Sequence, residues 1–309
     1  MTNTSLIAVD WGTTSLRAWR LSVSGEILDR KRGHLGILQV EGGDFPRALE
    51  ETLGDWMREA PEAPVLMSGM IGSRQGWAEA AYAECPAGLA DVARQILTVP
   101  GHPRVRIVPG LSFRPAGAAP DVMRGEETQI FGLGIEDGLA ILPGTHSKWC
   151  RLIDDRVEWF ATFMTGEVYS VLKTHSILGR LMEGNGGAPG PGFGAGLSYA
   201  LSDGAPGLLQ SLFSARTRGL FGEVAADELP GYLSGLLIGN EVREGLAALR
   251  SVGPSPTSVT LVGADALVSF YSEAFAAAGL PCKLAGEDSG ASGLYRIARA
   301  AGLIQEQQS

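Results

Sequence analysis

The chain is poor in the residues that would mark several common classes. Among 309 residues there are three cysteines, Cys85, Cys150 and Cys282, far apart and without a Cys-x-x-Cys pair. That excludes a disulfide framework or a zinc ribbon read from spacing and suits a reduced, cytoplasmic compartment. Lysine and arginine number 25 against 34 aspartates and glutamates, a formal net charge of -9. An acidic balance argues against a nucleic-acid partner, since such binding draws on cations to neutralise phosphates. The opening Met-Thr-Asn-Thr-Ser has no basic region, and the apolar run behind it stops at Asp10, so neither a signal peptide nor a membrane span is expected. The sequence also has no Walker-type glycine loop.

What is present is a chain with 45% hydrophobic and 19% charged residues, long enough for two domains with substantial cores. Its most informative stretch is Leu6-Ile7-Ala8-Val9-Asp10-Trp11-Gly12-Thr13-Thr14-Ser15-Leu16-Arg17. An apolar strand ends in an acid and turns through a Gly-Thr-Thr corner into a second strand. A carboxylate there can hold the water shell of Mg²⁺, glycine allows close backbone approach, and turn amides with threonine hydroxyls can face a phosphate.

Arg17–Val23 and Glu26–Leu28 complete a three-stranded meander around a Ser24-Gly25 turn. Residues 44–59 place Phe45, Leu49, Leu53, Trp56 and Met57 at helical spacing, and residues 64–68 read as a buried strand. The opening then recurs: Leu139-Ala140-Ile141-Leu142 runs into Pro143-Gly144-Thr145, and Trp149–Ile153, an Asp154-Asp155 turn and Arg156–Phe160 follow. Two such corners suggest duplicated lobes facing one nucleotide. Residues 184–196 are rich enough in glycine and proline to predict a loop or flap. Val259–Gly263 reads as a strand, followed by a helix through Ala278 with Gly279 as cap, and residues 290–301 as a closing helix. Gly235 and Gly239, four apart on one helix, suit close helix packing rather than a ligand.

The motifs at 10–17, 144–149 (Gly-Thr-His-Ser-Lys-Trp) and 261–267 (Leu-Val-Gly-Ala-Asp-Ala-Leu) resemble the first phosphate, second phosphate and adenosine motifs of the actin-like ATPase superfamily. Within it, Met67–Trp77, Asp121–Gln129 and Thr162–Glu167 are similar to the 2-keto-3-deoxygalactonate kinase family. The resemblance implies an α/β fold of two ribonuclease-H-like lobes with the active site in an interdomain cleft. The expected division is residues 1–122 for the first corner and substrate loop, and residues 123–309 for the second corner and adenosine motif. The helix at about 290–303 is expected to pack back on the first lobe.

The resemblance also implies ATP and Mg²⁺ as cofactors and a sugar-acid substrate, 2-dehydro-3-deoxy-D-galactonate, phosphorylated at O6. A kinase for another sugar or sugar acid, or a non-kinase ATPase switch, stays open as an alternative. A homo-oligomer is neither indicated nor excluded.

Carried onto this sequence, Asp10 positions the metal, while Gly12, Thr13, Thr14 and Arg17 face phosphate. Gly144, Thr145 and His146 form the second corner, with His146 alternatively a hydrogen-bonded structural residue. Lys148 is either a cation for the transferred group or a solvated strand lysine. Gly263 and Ala264 meet the adenosine. The general base is Glu126 or Glu127, at the start of a helix whose N-terminus favours an ionised acid, with Glu126 preferred. Ser73, Arg74, Trp77, Arg124, Thr165 and Glu167 are the candidates for the substrate; Arg74 could equally be a surface loop arginine and Trp77 a core residue.

Overall fold

The run Leu6-Ile7-Ala8-Val9 is apolar at every position because the strand it forms is covered on both faces. In the computed structural model, which describes residues 4–184, 186–286 and 288–304, every residue of β1 (Leu6–Trp11) except Asp10 is buried. Ile7, Val9 and Trp11 point to one face and meet Phe45, Leu49, Leu53 and Trp56 of α1 (Phe45–Glu59). Asp44 caps that helix by accepting the Arg47 N–H at 3.2 Å, with Pro46 in its first turn.

β2 (Leu16–Leu21) and β3 (Ile27–Gly33) complete the predicted meander, with Asp10 opposite Arg17 in the register. β4 (Val65–Ser68) runs parallel to β1 and sets Ser68 beside Asp10. β5 (Tyr82–Glu84), β6 (Ala87–Gly88), α2 (Leu89–Ala93), β7 (Leu97–Thr98) and β8 (Val105–Ile107) follow. Then come β9 (Gly110–Phe113), β10 (Asp121–Met123) and α3 (Glu126–Gly132). The main sheet has the order β3-β2-β1-β4-β8-β7, and a small sheet has the order β10-β9-β5.

The second meander is β11 (Gly138–Leu142), β12 (Ser147–Ile153) and β13 (Arg156–Phe163). After it come α4 (Thr165–His175), α5 (Pro191–Leu201), α6 (Leu208–Leu220), α7 (Leu229–Leu249), β14 (Val259–Leu261), α8 (Asp265–Ala277), β15 (Cys282–Leu284) and α9 (Ser289–Ala300). These strands run β13-β12-β11-β14-β15, the same order as β3-β2-β1-β4-β8 in the first sheet. The recurrence seen in the sequence is thus a recurrence of topology.

The chain separates into two compact units, Met1–Asp137 with Leu152–Trp159 and Asp288–Ser309, and Gly138–Arg151 with Phe160–Glu287. In the first, Arg156 and Val157 of the hairpin tip pair with Gly88 and Ala87. α9 returns to the same unit and touches β1, β2 and β4. Trp19 Nε1 donates to Asp288 Oδ1 at 3.0 Å and Tyr295 OH to Val23 O at 2.7 Å. α9 also seats α3, and two glycines bring the helices together: a Cβ on Gly132 would stand 1.8 Å from Ser289 O, and one on Gly293 1.6 Å from Thr128 O. Gly293→Ala therefore forces the helices apart and is expected to cost about 1–3 kcal/mol or more. A urea titration followed by circular dichroism measures that loss; an unchanged midpoint would contradict the close approach.

The stretch predicted as a loop is only partly one. Residues from Pro191 onward form α5; Asn185 lies outside the described residues. Proline is favourable at a first helical turn, and the glycines serve packing against α7. A Cβ on Gly196 would meet Tyr232 O at 2.1 Å, and one on Gly235 would meet Phe193 O at 2.2 Å. Gly239 faces Ala200 across the same contact, so the pair in α7 packs helices as its spacing predicted.

Candidate active site

In the first unit the chemistry gathers where β1 and β4 end and α3 begins. Thr13, Thr14 and Ser15 are exposed, so the Gly-Thr-Thr corner is open to a ligand. Its backbone is braced from behind: Ile37 N–H donates to Gly12 O at 3.0 Å, Leu38 N–H to Thr13 O at 3.3 Å, and Trp11 Nε1 to Leu35 O at 2.8 Å. Gly36 makes this approach feasible, since a Cβ there would lie 2.2 Å from Thr13 O. Sequence reading does not single out Gly36, because nothing local marks a glycine that serves a corner twenty residues away.

Asp10 is largely buried, and its Oδ2 forms an ion pair with Arg17 Nη2. Arg17, expected to face phosphate, thus holds the carboxylate across the two strands. Burial pushes the Asp10 carboxyl up, Arg17 pulls it back, and Glu126 adds a smaller upward push. Gly69 and Gly125, both with positive φ, carry the chain past this point. A Cβ on Gly69 would stand 2.8 Å from Trp11 O and 3.1 Å from Asp10 Oδ1, and one on Gly125 3.1 Å from the Gly69 Cα. Only glycine takes both the conformation and the space. The first turn of α3 is thereby set against the end of β1.

The two candidate bases differ sharply. Glu126 is half-buried, and its Oε2 accepts the Arg124 N–H at 3.1 Å. Glu127 is fully buried, its Oε2 accepts the Gly125 N–H at 2.6 Å, and Oε1 has no hydrogen-bond partner among the described residues. Burial and the neighbouring Glu126 push the Glu127 carboxyl up to about 8. At neutral pH a carboxyl so displaced is mostly protonated.

The substrate candidates also separate. Ser73 Oγ is turned to Met70 O at 2.7 Å. Arg74 is 87% exposed on the loop after β4, with Glu79 Oε1 2.9 Å away. Arg124 donates through Nη2 to Ala80 O at 2.8 Å and lies over the Tyr82 ring, which makes it a brace for that loop. Trp77 is partly buried against the first core, its ring stacked on Phe45 and set edge to face with His102, contacts that suit its core alternative.

In the second unit the Pro143-Gly144-Thr145-His146 corner has Thr145 and His146 exposed. The start of α4 sits on it: Glu167 N–H donates to Thr145 O at 2.9 Å, the Glu167 carboxylate pairs with His146 Nε2, and a Cβ on Gly166 would meet Gly144 O at 2.4 Å. Lys148 is 5% exposed and reaches His146 O at 3.4 Å, so it is not a solvated strand lysine. The Gly263–Ala264 turn is exposed and packs beside Pro143. A pocket next to this corner is lined by Gly144, Thr165, Gly166, Ser234, Leu267 and Phe270 among others. Thr165, a substrate candidate, is buried with its hydroxyl on Glu241 of α7.

The chain matches the family described as 2-keto-3-deoxy-galactonokinase over residues 10–297. It is 40% identical over 306 residues to a probable 2-dehydro-3-deoxygalactonokinase of Rhizobium meliloti (strain 1021), covering 95% of this chain and 96% of that one. It is 34% identical to the 2-dehydro-3-deoxygalactonokinase of Escherichia coli (strain K12), covering 95% and 97%. A crystal structure of a protein from Sinorhizobium meliloti described as a 2-dehydro-3-deoxygalactonokinase superposes with a TM-score of 0.86 at 38% identity, covering 96% of this chain and 98% of that one.

Proposed function

Since the chain belongs to the 2-keto-3-deoxy-galactonokinase family, we propose a division of labour among its residues for that family's reaction. The protein is an ATP-dependent sugar-acid kinase that phosphorylates 2-dehydro-3-deoxy-D-galactonate at O6, giving ADP and the 6-phosphate. A non-kinase ATPase switch is not favoured, because the relatives matched along almost their whole length carry kinase names.

The observation that supports the roles is the close approach of Gly69 to Asp10 at the end of β1 and of Gly125, just ahead of Glu126, to Gly69, beside the exposed Thr13 and Thr14. Phosphoryl transfer asks the protein mainly to position groups and offset charge. Glu126, only half-buried, orients the O6 hydroxyl and takes its proton. The amides and hydroxyls of Gly12, Thr13 and Thr14 and those of Gly144 and Thr145 hold the phosphates, with Lys148 adding positive charge and Gly263 and Ala264 leaving room for adenosine.

Asp10 is a hard oxygen donor, and no three His, Cys, Asp or Glu residues cluster as a cage among the described residues. That donor set fits Mg²⁺, which keeps most of its waters and rests on one or two carboxylates. When bound, the ion would supply charge neutralisation at the phosphate oxygens. The three free thiols suit a cytoplasmic setting, and among the described residues no helix is long and apolar enough to cross a membrane.

Arg74, exposed on its loop, is assigned to the substrate carboxylate. Arg74→Ala is expected to raise KM for the sugar acid about tenfold, with KM for ATP unchanged. An unchanged sugar-acid KM would return Arg74 to the surface. For the function as a whole, a coupled ADP-release assay is run over a panel of sugars and 2-keto-3-deoxy sugar acids. Turnover is expected with the 2-keto-3-deoxy acid; ATP hydrolysis that needs no acceptor would overturn the kinase reading.

A further inference from the structure

Beneath the second corner lies a buried acid that takes no part in the proposed transfer. Glu241 stands in the middle of α7 and is 3% exposed. Its Oε1 accepts from Ser147 Oγ at 2.7 Å and from Trp149 Nε1 at 2.7 Å, and its Oε2 from Tyr271 OH at 2.6 Å. The Thr165 hydroxyl bonds to the same carboxylate. Burial pushes this carboxyl up, and the four donors pull it back. A carboxylate offers about four acceptor sites and needs to donate nothing, so the donor set matches it. A buried charge is a costly way to fill space, and the four donors have a location in common.

Each donor lies on an element of the second half-site. Ser147 opens β12 immediately after His146 of the phosphate corner. Trp149 lies two residues further along the same strand. Thr165 opens α4, whose Gly166 and Glu167 rest on Gly144 and Thr145. Tyr271 sits on α8, the helix that follows the adenosine turn, and lines the same pocket as Gly144, Thr165, Leu267 and Phe270. One carboxylate therefore ties together the phosphate corner, the helix start above it and the adenosine helix, all within one compact unit.

We infer that Glu241 is a positioning residue for the nucleotide: it fixes the spacing between the second phosphate corner and the adenosine helix. The inference rests on reading this pocket as the ATP site. Glu241 itself touches no ligand and acts through Ser147, Thr165 and Tyr271. The carboxylate accepts from all four at once, and Trp149 Nε1 can only donate. Glutamine keeps one acceptor oxygen for Ser147 and Trp149, and its amide NH2 then forces the hydroxyls facing the other oxygen, Tyr271 among them, to turn from donor to acceptor.

The test uses the full chain and three readouts: ADP binding by calorimetry, KM for ATP and KM for the sugar acid. Glu241→Gln is expected to weaken ADP binding at least about tenfold, about 1.4 kcal/mol, and to raise KM for ATP with it. KM for the sugar acid stays within about twofold. A merely structural role predicts otherwise: a lower melting temperature, a smaller active fraction and unchanged constants for the molecules that remain folded. That outcome, or wild-type ADP affinity in the variant, overturns the inference.

Tyr271→Phe is the second arm and decides the matter if Glu241→Gln does not fold. It keeps the ring in the pocket wall and removes only the hydroxyl held by Glu241. ADP binding weakened about threefold or more supports the positioning role, and wild-type affinity contradicts it. If the wild-type protein binds no ADP, the nucleotide reading of the pocket fails first, and the inference fails with it.

Discussion

Glu126→Gln lowers turnover by at least about a hundredfold and leaves ATP binding near its wild-type value. Glutamine keeps the size of the side chain and can still accept the Arg124 N–H that orients Glu126, so the loss isolates proton acceptance. Glu127→Gln is the informative partner. Its carboxyl is buried and pushed up to about 8 by that burial and by Glu126, so at pH 7 the native residue is already mostly protonated, and the amide oxygen can accept the Gly125 N–H in its place. Turnover in Glu127→Gln is therefore expected to stay within about tenfold of wild type.

The two variants also differ in how stability depends on pH. In the unfolded chain Glu127 ionises at its ordinary value of 4.5, and in the folded chain at about 8. Between those values the folded state binds more protons, so this residue makes stability fall as pH rises. The contribution is complete below 4.5 and lost by about 8. Glu127→Gln removes that slope, and denaturant midpoints at several pH values between 4.5 and 8 measure it. A hundredfold loss of turnover in Glu127→Gln, with mild behaviour of Glu126→Gln, would exchange the two roles.

Asp10→Asn lowers kcat/KM by at least about a hundredfold and removes most of the stimulation by Mg²⁺. Gly69 brings its backbone close beside the carboxylate, and among the described residues no group of three or more His, Cys, Asp or Glu offers the ion another cage. The substitution also ends the ion pair with Arg17. That guanidinium then stands beside the exposed corner without its counter-charge, so binding of metal-free ATP is expected to hold or to tighten while transfer is lost. A titration of turnover with Mg²⁺ checks this. An unchanged half-saturation would show that the metal is held elsewhere.

Much of this site is written in local pattern. β1 is apolar at each position because both its faces are covered, and the acid near its end is the one residue of the strand left partly open. The second meander could be paired with the first because both repeat the passage from apolar strand to Gly-Thr corner, and the shared strand order bears this out. The start of α3 was legible from Gly125 and the two glutamates; that Glu127 is sealed and Glu126 is not leaves no mark in the local sequence.

What pattern missed has a common cause. Gly36, Gly132, Gly196 and Gly293 are contacts made by backbone against backbone, and a glycine that admits another segment looks in sequence like a glycine in a loop. The prediction of a loop through residue 196 failed for that reason. Trp77 and Glu241 show the same limit for side chains, since an aromatic beside a ligand and one in a core share a sequence context, as do a surface glutamate and one that gathers four donors. The seat of residues 123–137 beside α9 likewise depends on contacts that leave no local trace.

The central claim is that phosphate passes from ATP to O6 of a sugar acid. The most direct test is ³¹P nuclear magnetic resonance of a complete reaction containing ATP, Mg²⁺ and 2-dehydro-3-deoxy-D-galactonate. A single phosphate ester is predicted, coupled to the two protons on C6 and equal in amount to the ADP formed. ADP accompanied by inorganic phosphate, with no ester signal, would contradict it.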